Sequence, residues 1–396
     1  MTWSAVLPAV LGTRGQSSPH VLTLAPFYPS EGNPASGCFI AEPVRSLQNC
    51  GVKASVFVAQ PFYRSAELGI AEFPADRVRF FSLPRGLGLP SAGKLLFYSL
   101  REKLSALHAR HPVDLIHAHS ALPCGHAAWL LGKELRIPFV VTVHGLDASS
   151  RRQVGGAAGW LCEGISRQIY SAAQRVICVS KKVERAVLQV EARTRTQVIY
   201  NGVDCEQFTP AASLSGSPIL LAVGNLIPTK GHKVLLQAFA RLRREFPGVR
   251  CQIIGEGPEE TRLKSLAEKW EISDSVEWLG RRNRSQVARA LRNCTVFVLP
   301  SEYEGLGCVY LEAMASGKPV VACRGQGIDE VIRHGLNGWL VDPNDEIALA
   351  EILLGVFADP ERQHEIEIHA RRTILNGFTL QQQADQLAEV YRECLL

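Results

Sequence analysis

Short β-rich runs alternate with longer helical patterns along nearly the whole chain, and this alternation limits the fold more than any other feature. It occurs in two series, one on each side of a segment at residues 209–218 that is rich in small residues. Alternating strands and helices build parallel sheets that are covered by helices on both faces. The sequence therefore predicts an α/β protein with two Rossmann-like domains that face each other across a central cleft.

The predicted elements are short strands separated by amphipathic helices. In the first series the strands are predicted at residues 20–26, 53–59, 114–119, 139–144, 175–180 and 197–200, and the helices at 39–49, 92–110, 125–135 and 159–173. In the second series the strands are predicted at 219–223, 250–254, 276–279, 295–299, 319–322 and 339–341, and the helices at 233–245, 259–270 and 346–358. Helical spacing of apolar residues predicts a final helix at 380–395.

The length of 396 residues exceeds what one hydrophobic core usually supports. We expect a loose leader at 1–19, a first domain at 20–205, a linker at 206–217, a second domain at 218–375, and a C-terminal helix at 376–396 that packs toward the first domain. The leader has an apolar run but no basic n-region, so we do not expect it to be a secretion signal.

Composition predicts a cytoplasmic globular protein. Charged residues make up 20% and hydrophobic residues 46%, and no stretch of about 18 uncharged apolar residues could span a membrane. The 11 cysteines include no C-x-x-C pair, and several lie in predicted strands. This use of cysteine is typical of a reduced protein rather than of a disulfide or zinc framework.

The net charge of +5 conceals an asymmetry between the two halves. Through residue 200 the chain has 22 Lys and Arg against 12 Asp and Glu, whereas the remainder has 21 against 26. A basic first half indicates an anionic partner, for which a phospholipid surface, a lipid-diphosphate carrier and an acidic saccharide are candidates. An ordinary solvated basic face is the alternative.

The stretch SEYEGLGCVYLEAMASGKP at residues 301–319 predicts a binding site. After a predicted strand come Glu304, then Gly305 and Gly307, then an apolar helix that contains Glu312. Glycines let a ligand approach the backbone closely, and a helix N-terminus attracts an anion such as a diphosphate. The two glutamates can accept hydrogen bonds from hydroxyls of two different sugars. A strand–turn–helix unit with two solvated glutamates is the alternative that this stretch alone leaves open.

Other polar motifs also follow predicted strands, where sheets of this kind bind ligands. These motifs are HGLD at 144–147, NGVD at 201–204, GNLIPTKGH at 224–232, GEGP at 255–258 and GQGIDE at 325–330. Each alone fits a tight turn, but their shared position predicts one site in the cleft. His144 is a better functional candidate than His117 or His119, because it lies in a turn with Gly145 and Asp147.

Missing motifs exclude other kinds of phosphate site. Lys230 is not in a Walker G-K-[ST] sequence, and no predicted strand is followed by G-x-G-x-x-G. The sequence has no D-x-D pair and no cluster with metal-ligand spacing, so we expect neither a metal nor another cofactor. The charge of a bound diphosphate would be met by Lys230, nearby arginines and helix N-termini.

Taken together, these segments resemble the retaining glycosyltransferases of family 4, which have the GT-B fold. The resemblance covers about residues 20–395, and its most specific element is the pair Glu304 and Glu312 within EGLGCVYLEAMASGKPVV. Other matching segments are PFYP at 26–29, SG at 36–37, DLIHAHS at 114–120, TVHGLD at 142–147, VIYNGVD at 198–204 and GEGP at 255–258. The resemblance implies an N-terminal acceptor domain and a C-terminal nucleotide-sugar donor domain.

The resemblance also implies roles for matching residues. His144, Lys230 and Glu304 would be catalytic: His144 would contact the donor sugar, Lys230 would stabilise the departing diphosphate, and Glu304 would hold sugar hydroxyls. Glu312 would bind the ribose, the loop at Gly37 would approach the phosphates and the acceptor, and the segment 276–280 would lie beside the base. The expected donor-binding residues are Gly37, Asn225, Lys230, Gly255, Leu279, Gly305, Leu306, Gly307 and Glu312.

One position departs from the family pattern. Many relatives have Arg where Asn225 stands, five residues before the lysine, and an amide cannot replace a guanidinium fork on a phosphate. Either Lys230 works with another cation, such as Arg281, Arg282 or Arg324, or the donor binds more weakly.

The implied activity is transfer of a sugar, with retention at the anomeric carbon, from a nucleotide sugar such as a UDP-sugar to a saccharide or lipid-linked acceptor. Exopolysaccharide or cell-surface glycan synthesis is the expected pathway, with peripheral contact to an anionic membrane and no nucleic acid partner. In the family's usual mechanism the acceptor attacks from the face that the diphosphate leaves, so the protein supplies positioning and electrostatic stabilisation. A nucleotide-sugar epimerase and a non-catalytic GT-B scaffold are the alternatives.

Overall fold

The fold is described by a computed structural model that covers residues 18–84, 86–211 and 217–396. Apart from its last two residues, the predicted leader at 1–19 lies outside the described residues, and so do residues 212–216 of the predicted linker. The described chain forms two parallel sheets, each covered by helices. No described helix is both long and apolar enough to cross a lipid bilayer.

The first sheet has seven parallel strands among the described residues, in the order β3-β2-β1-β4-β5-β6-β7. The strands are β1 His20–Ala25, β2 Lys53–Pro61, β3 Asp76–Phe80, β4 Leu115–His119, β5 Phe139–Val143, β6 Arg175–Cys178 and β7 Thr196–Val198. The helices are α1 Cys38–Leu47, α2 Leu89–Arg110, α3 His126–Leu135, α4 Ser150–Gln153, α5 Gly156–Ala172 and α6 Lys181–Val190. The central strand β5 is FVVTV and is buried throughout, as expected of a strand that is covered on both faces.

The second sheet has six parallel strands among the described residues, in the order β10-β9-β8-β11-β12-β13. The strands are β8 Ile219–Val223, β9 Arg250–Ile254, β10 Val276–Gly280, β11 Val296–Val298, β12 Val320–Cys323 and β13 Trp339–Val341. The helices are α7 His232–Glu245, α8 Glu260–Lys269, α9 Arg284–Asn293, α10 Cys308–Ala315, α11 Glu346–Ala358, α12 Pro360–Gly377 and α13 Leu380–Leu395.

Both sheets are doubly wound, because in each the chain starts at a central strand and builds outward to both sides. This order confirms the predicted pair of Rossmann-like sheets and the GT-B fold. The reversal of strand order opens a crevice at the carboxyl ends of the strands, where such sheets bind ligands.

The C-terminal helix α13 returns to the N-terminal half, as predicted. It packs on α1 and adds Leu387, Val390 and Tyr391 to a core that is otherwise built from the first sheet. The hydroxyl of Tyr391 lies 2.6 Å from Nδ1 of His117 on β4. A capping box formed by Thr379 and Gln382 fixes the start of this helix. The last helix therefore connects the two halves.

Five elements were absent from the predicted set: strand β3 and helices α4, α6, α9 and α12. Strand β3 is DRVRF, an edge strand with two exposed charges whose hydrophobic pattern is too short to stand out. Helices α6, α9 and α12 are rich in charged residues, and only a narrow stripe of each is buried. Tertiary packing of that stripe, rather than the overall hydrophobicity of the segment, stabilises these elements.

Candidate active site

A cavity of about 360 Å³ lies between the two halves, at the carboxyl ends of strands from both sheets. The N-terminal half contributes Phe39, His144, Val179 and Asn201 to its lining. The C-terminal half contributes Val223, Gly224, Asn225, Lys230, Glu304, Gly305, Leu306, Gly307, Cys308, Val309 and Glu312. Motifs that are far apart in the sequence thus meet in one concave site.

Lys230 and Glu304 form an ion pair in this cavity. Lys230 ends a single 3₁₀ turn after β8, and its Nζ lies 2.6 Å from Oε1 of Glu304. Both side chains are mostly shielded from water. An ammonium group has three N–H donors, so Lys230 can hold Glu304 and still donate to a phosphate oxygen.

The loop that contains Glu304 is held by contacts from both halves. The backbone N–H of Glu304 donates to Oε1 of Gln326 at 3.0 Å, and the hydroxyl of Ser180 donates to the carbonyl of Gly305 at 2.6 Å. A Cβ at Gly305 would lie 2.0 Å from the carbonyl oxygen of His144. Only glycine therefore lets the backbones of the two halves approach this closely.

Gly307 ends this loop and begins α10. Its φ of 90° falls in the left-handed region that favours glycine. The first N–H groups of α10 therefore start at the cavity, since Gly307 and Cys308 both line it. This arrangement gives an anion-attracting helix N-terminus beside Lys230, as the motif predicts.

Three histidines form a row that ends at the cavity. The ring of His117 stacks on that of His119 with centroids 4.4 Å apart, and Nδ1 of His119 lies 3.0 Å from Nε2 of His144. Burial lowers the pKa of all three, that of His117 to about 3, and Asp147 opposes the shift at His144. The row is therefore neutral at neutral pH. Nδ1 of His144 is buried and has no partner among the described residues.

Glu312 belongs to a buried ion triad that crosses the cleft. Arg284, the first residue of α9, donates from Nε and Nη2 to the carboxylate of Glu42 at 2.9 and 2.8 Å, and from Nη1 to Oε1 of Glu312. Glu42 lies on α1 of the N-terminal half. Burial raises the pKa of Glu42 from its ordinary 4.5 to about 7, with Arg284 opposing the shift and Glu312 adding to it.

The cavity collects most of the predicted site residues but not all of them. His144, Asn225, Lys230, Glu304, Glu312 and the segment 305–307 line it. Gly37, Gly255 and Leu279 do not. Gly37 caps the start of α1, two residues before the lining residue Phe39, and Gly255 packs directly against Gly224. Leu279 lies half-buried on β10.

The three arginines named as possible partners of Lys230 at the phosphates do not line the cavity. Arg281 pairs with Glu256 at 3.5 Å, Arg324 approaches Asp342 at 3.7 Å, and Arg282 donates to a backbone carbonyl. Arg284 is the guanidinium that does lie beside the site, where it pairs with Glu312, and it was not predicted because it stands in a helix that the sequence pattern does not reveal. A capping residue just before it, Asn283, was the available signal.

In the described ranges, no group of three or more His, Cys, Asp or Glu side chains is arranged to hold a metal ion. Lys230 lines the cavity, and Arg284 beside it pairs with two carboxylates.

Two family models match adjacent parts of the chain. "Glycosyltransferase Family 4" matches residues 39–207, and "Glycosyl transferases group 1" matches residues 206–373. Together they cover every residue that lines the cavity and every described strand of both sheets except β1.

Individual proteins agree with these matches. The chain is 30% identical over 289 residues to a glycogen synthase of Mycobacterium tuberculosis, covering 70% of this chain and 68% of that protein. It is 32% identical over 313 residues to a D-inositol 3-phosphate glycosyltransferase of Corynebacterium urealyticum, covering 70% and 71%. Among solved structures, Anabaena HepE in complex with UDP superimposes with a TM-score of 0.74 at 22% identity, covering 94% of this chain and all of that one.

Proposed function

The chain belongs to the family 4 glycosyltransferases, retaining enzymes that take a sugar from a nucleotide-sugar donor, and we propose that it transfers a hexose from a UDP-sugar to a saccharide or lipid-linked acceptor. One observation carries the proposal. A cavity between two Rossmann-like sheets gathers His144, Lys230, Glu304 and Glu312, which come from three separate segments of the chain. UDP is proposed because the structurally similar HepE binds it.

In this proposal the donor lies along the cavity with its parts held by different groups. Glu312 accepts hydrogen bonds from the ribose through Oε2, since Oε1 is occupied by Arg284. Lys230 and the N–H groups at the start of α10 meet the diphosphate, which is where charge develops as the nucleotide departs. Glu304 holds hydroxyls of the donor sugar, and Lys230 fixes its carboxylate.

His144 is proposed to contact the donor sugar as a neutral ring. Because its pKa is lowered by burial, it offers a hydrogen bond without adding charge near the reacting carbon. No carboxylate is placed as an evident nucleophile, which agrees with same-face attack in which the leaving phosphate accepts the acceptor's proton. The protein would then act by positioning and by electrostatic stabilisation.

The remaining assignments are also proposals. Gly37 and Gly255 shape the walls next to the phosphates, Leu279 lies beside the base, and Asn225 faces the diphosphate without a charge. The domain limits 20–205 and 218–375 assign the acceptor to the first half and the donor to the second.

Relatives are named for acceptors as different as glycogen and D-inositol 3-phosphate, so we base the acceptor class on the basic first half and not on them. Cell-surface or exopolysaccharide synthesis at the inner face of a membrane is the pathway that we propose.

The proposal is tested by release of nucleoside diphosphate from a panel of nucleotide sugars, with and without a pool of saccharide acceptors. We expect the wild type to act best on a UDP-sugar. Glu304→Gln should lower turnover about a hundredfold, since a charged hydrogen-bond partner of the sugar is lost. Lys230→Ala should weaken UDP binding in calorimetric titration more than it lowers the unfolding temperature.

Other outcomes would support the alternatives. Conversion of a lone nucleotide sugar into its epimer, without diphosphate release, would indicate an epimerase. No turnover of any donor, with Glu304→Gln indistinguishable from the wild type in donor binding, would indicate a scaffold. Preferred turnover of a GDP- or ADP-sugar would overturn the choice of UDP but would still support a glycosyltransferase.

A further inference from the structure

Large hydrophobic side chains are exposed unevenly on this protein. Every exposed aromatic side chain of the described residues lies in the N-terminal half: Phe27, Phe62, Tyr63, Phe81, Tyr98 and Trp160. Trp160 and its neighbour Leu161 are each 62% exposed. The exposed large side chains of the C-terminal half are aliphatic, for example Leu336 and Ile347. Exposed apolar residues that are concentrated on one side of a protein mark an interaction surface.

Seven of the exposed apolar residues lie on neighbouring segments of the first half, and we call this set the aromatic rim. The rim consists of Phe62, Tyr63, Phe81, Leu83, Leu87, Trp160 and Leu161. Its parts are held side by side by backbone contacts at the carboxyl edge of the first sheet. The N–H of Phe62 donates to the carbonyl of Phe80 at 2.9 Å. Gly86 packs on Val154, and Val154 in turn contacts Gly159.

Arginines are interleaved with the aromatic rings in and beside the rim. The guanidinium of Arg79 lies 4.8 Å from the ring centre of Phe62, and that of Arg151 lies 3.5 Å from the ring centre of Trp160. The two segments that form the rim, 60–100 and 146–167, together contain eight Lys and Arg against five Asp and Glu. Aromatic side chains with adjacent cations match the boundary between lipid head groups and acyl chains, where both can be satisfied at once.

A groove lies next to the rim on the first half. Its volume is about 200 Å³, and its lining includes Tyr63, Arg64 and Ser120. Arg64 stands 5.7 Å from the ring centre of Phe27, which also lines the groove. Ser120 directly follows His119, whose ring is bonded to His144 of the donor cavity. The groove therefore leads from the rim toward the proposed donor sugar.

We propose that the aromatic rim docks on the surface of an anionic lipid bilayer, so that a lipid-linked acceptor enters the groove at Tyr63, Arg64 and Ser120 from that surface. This inference rests on the proposed glycosyltransferase function for the role of the groove. The apolar side chains supply area that is buried at the head-group boundary, and the arginines supply attraction to anionic lipid. Neither contribution alone gives stable attachment, but the two together do.

The test is co-sedimentation of the full-length protein with vesicles, either of phosphatidylcholine alone or of equal parts phosphatidylcholine and phosphatidylglycerol. We expect binding only to the second kind, weakened by added salt. A double variant, Trp160→Ser with Leu161→Ser, should partition at least about tenfold more weakly. The control is Leu336→Ser with Ile347→Ser, which removes two exposed aliphatic side chains (41% and 49% exposed) from the other half and should bind like the wild type.

Three results would overturn the inference. The first is no sedimentation with either vesicle, and the second is an equal loss in the control variant. The third is a dimer in vesicle-free ultracentrifugation that the rim variant dissociates, which would show that a second copy covers the rim. Release of diphosphate from the donor, measured without vesicles, separates this inference from the proposed function, because the rim variant should keep it unchanged.

Discussion

Arg284 and Glu42 connect the two halves of the protein through two parallel hydrogen bonds, from Nε to Oε1 at 2.9 Å and from Nη2 to Oε2 at 2.8 Å. The same guanidinium holds Glu312, the residue proposed to bind the ribose. Both carboxylates are almost fully buried. One arginine side chain therefore both links the two halves across the cleft and holds the glutamate that we propose binds the ribose.

We expect Glu42 to make stability depend on pH. Burial raises its pKa in the folded protein from 4.5 to about 7, so the folded state binds more protons than the unfolded state between these values. The contribution of Glu42 to the free energy of unfolding is thus fully present below pH 4.5 and is lost as the pH rises through 7. Relative to Glu42→Gln, which cannot titrate, the wild type should lose about 3 kcal/mol of unfolding free energy across that range. Urea unfolding of both proteins at several pH values measures the difference, and a difference that is constant with pH would contradict the prediction.

Arg284→Met should destabilise the protein by about 3 kcal/mol, because it leaves two buried carboxylates without their cation. Arg289→Met is the matched control, since Arg289 lies on the exposed side of the same helix and its loss should cost less than about 0.5 kcal/mol. Urea denaturation of both variants at neutral pH tests this. Equal stabilities of the two variants would show that the triad contributes little.

Asn225→Arg should strengthen binding of UDP about tenfold. Asn225 is exposed and lines the cavity together with Lys230, and a guanidinium there would add a charged, two-pronged donor to the phosphates. Asn225→Gln supplies the control, because it lengthens the side chain without adding charge. Calorimetric titration with UDP compares the three proteins, and unchanged affinity in the Arg variant would mean that the diphosphate does not reach this position.

Gly305→Ala should lower kcat/KM for the donor about a hundredfold, since displacement of reacting groups by about 1 Å is enough for a loss of that size. The added methyl group would collide with the carbonyl oxygen of His144 and hold the halves apart. Gly248→Ala serves as the control, because open space surrounds that glycine. Wild-type turnover in Gly305→Ala would show that the contact with His144 is dispensable.

Local pattern was sufficient for the order of most elements. Strands such as β8 and β9 and helix α11 occur at the predicted residues, because their runs of apolar residues are bounded by turn residues. The charged helices α6 and α9 and the edge strand β3 were not predicted. Each is stabilised by a narrow row of apolar side chains that becomes buried only when the whole protein is folded.

Periodicity and motif spacing are local properties of the chain, so they were enough to predict the two series of strands and helices and to select His144, Lys230, Glu304 and Glu312 as candidate site residues. The three-dimensional fold places Arg284 next to Glu312 as its cation, whereas Arg281, Arg282 and Arg324 contact other partners. It also decided that Glu42 is buried against this arginine. The reason is physical: partners in a buried ion network are selected by three-dimensional proximity and by exclusion from water, and neither can be read from spacing along the chain.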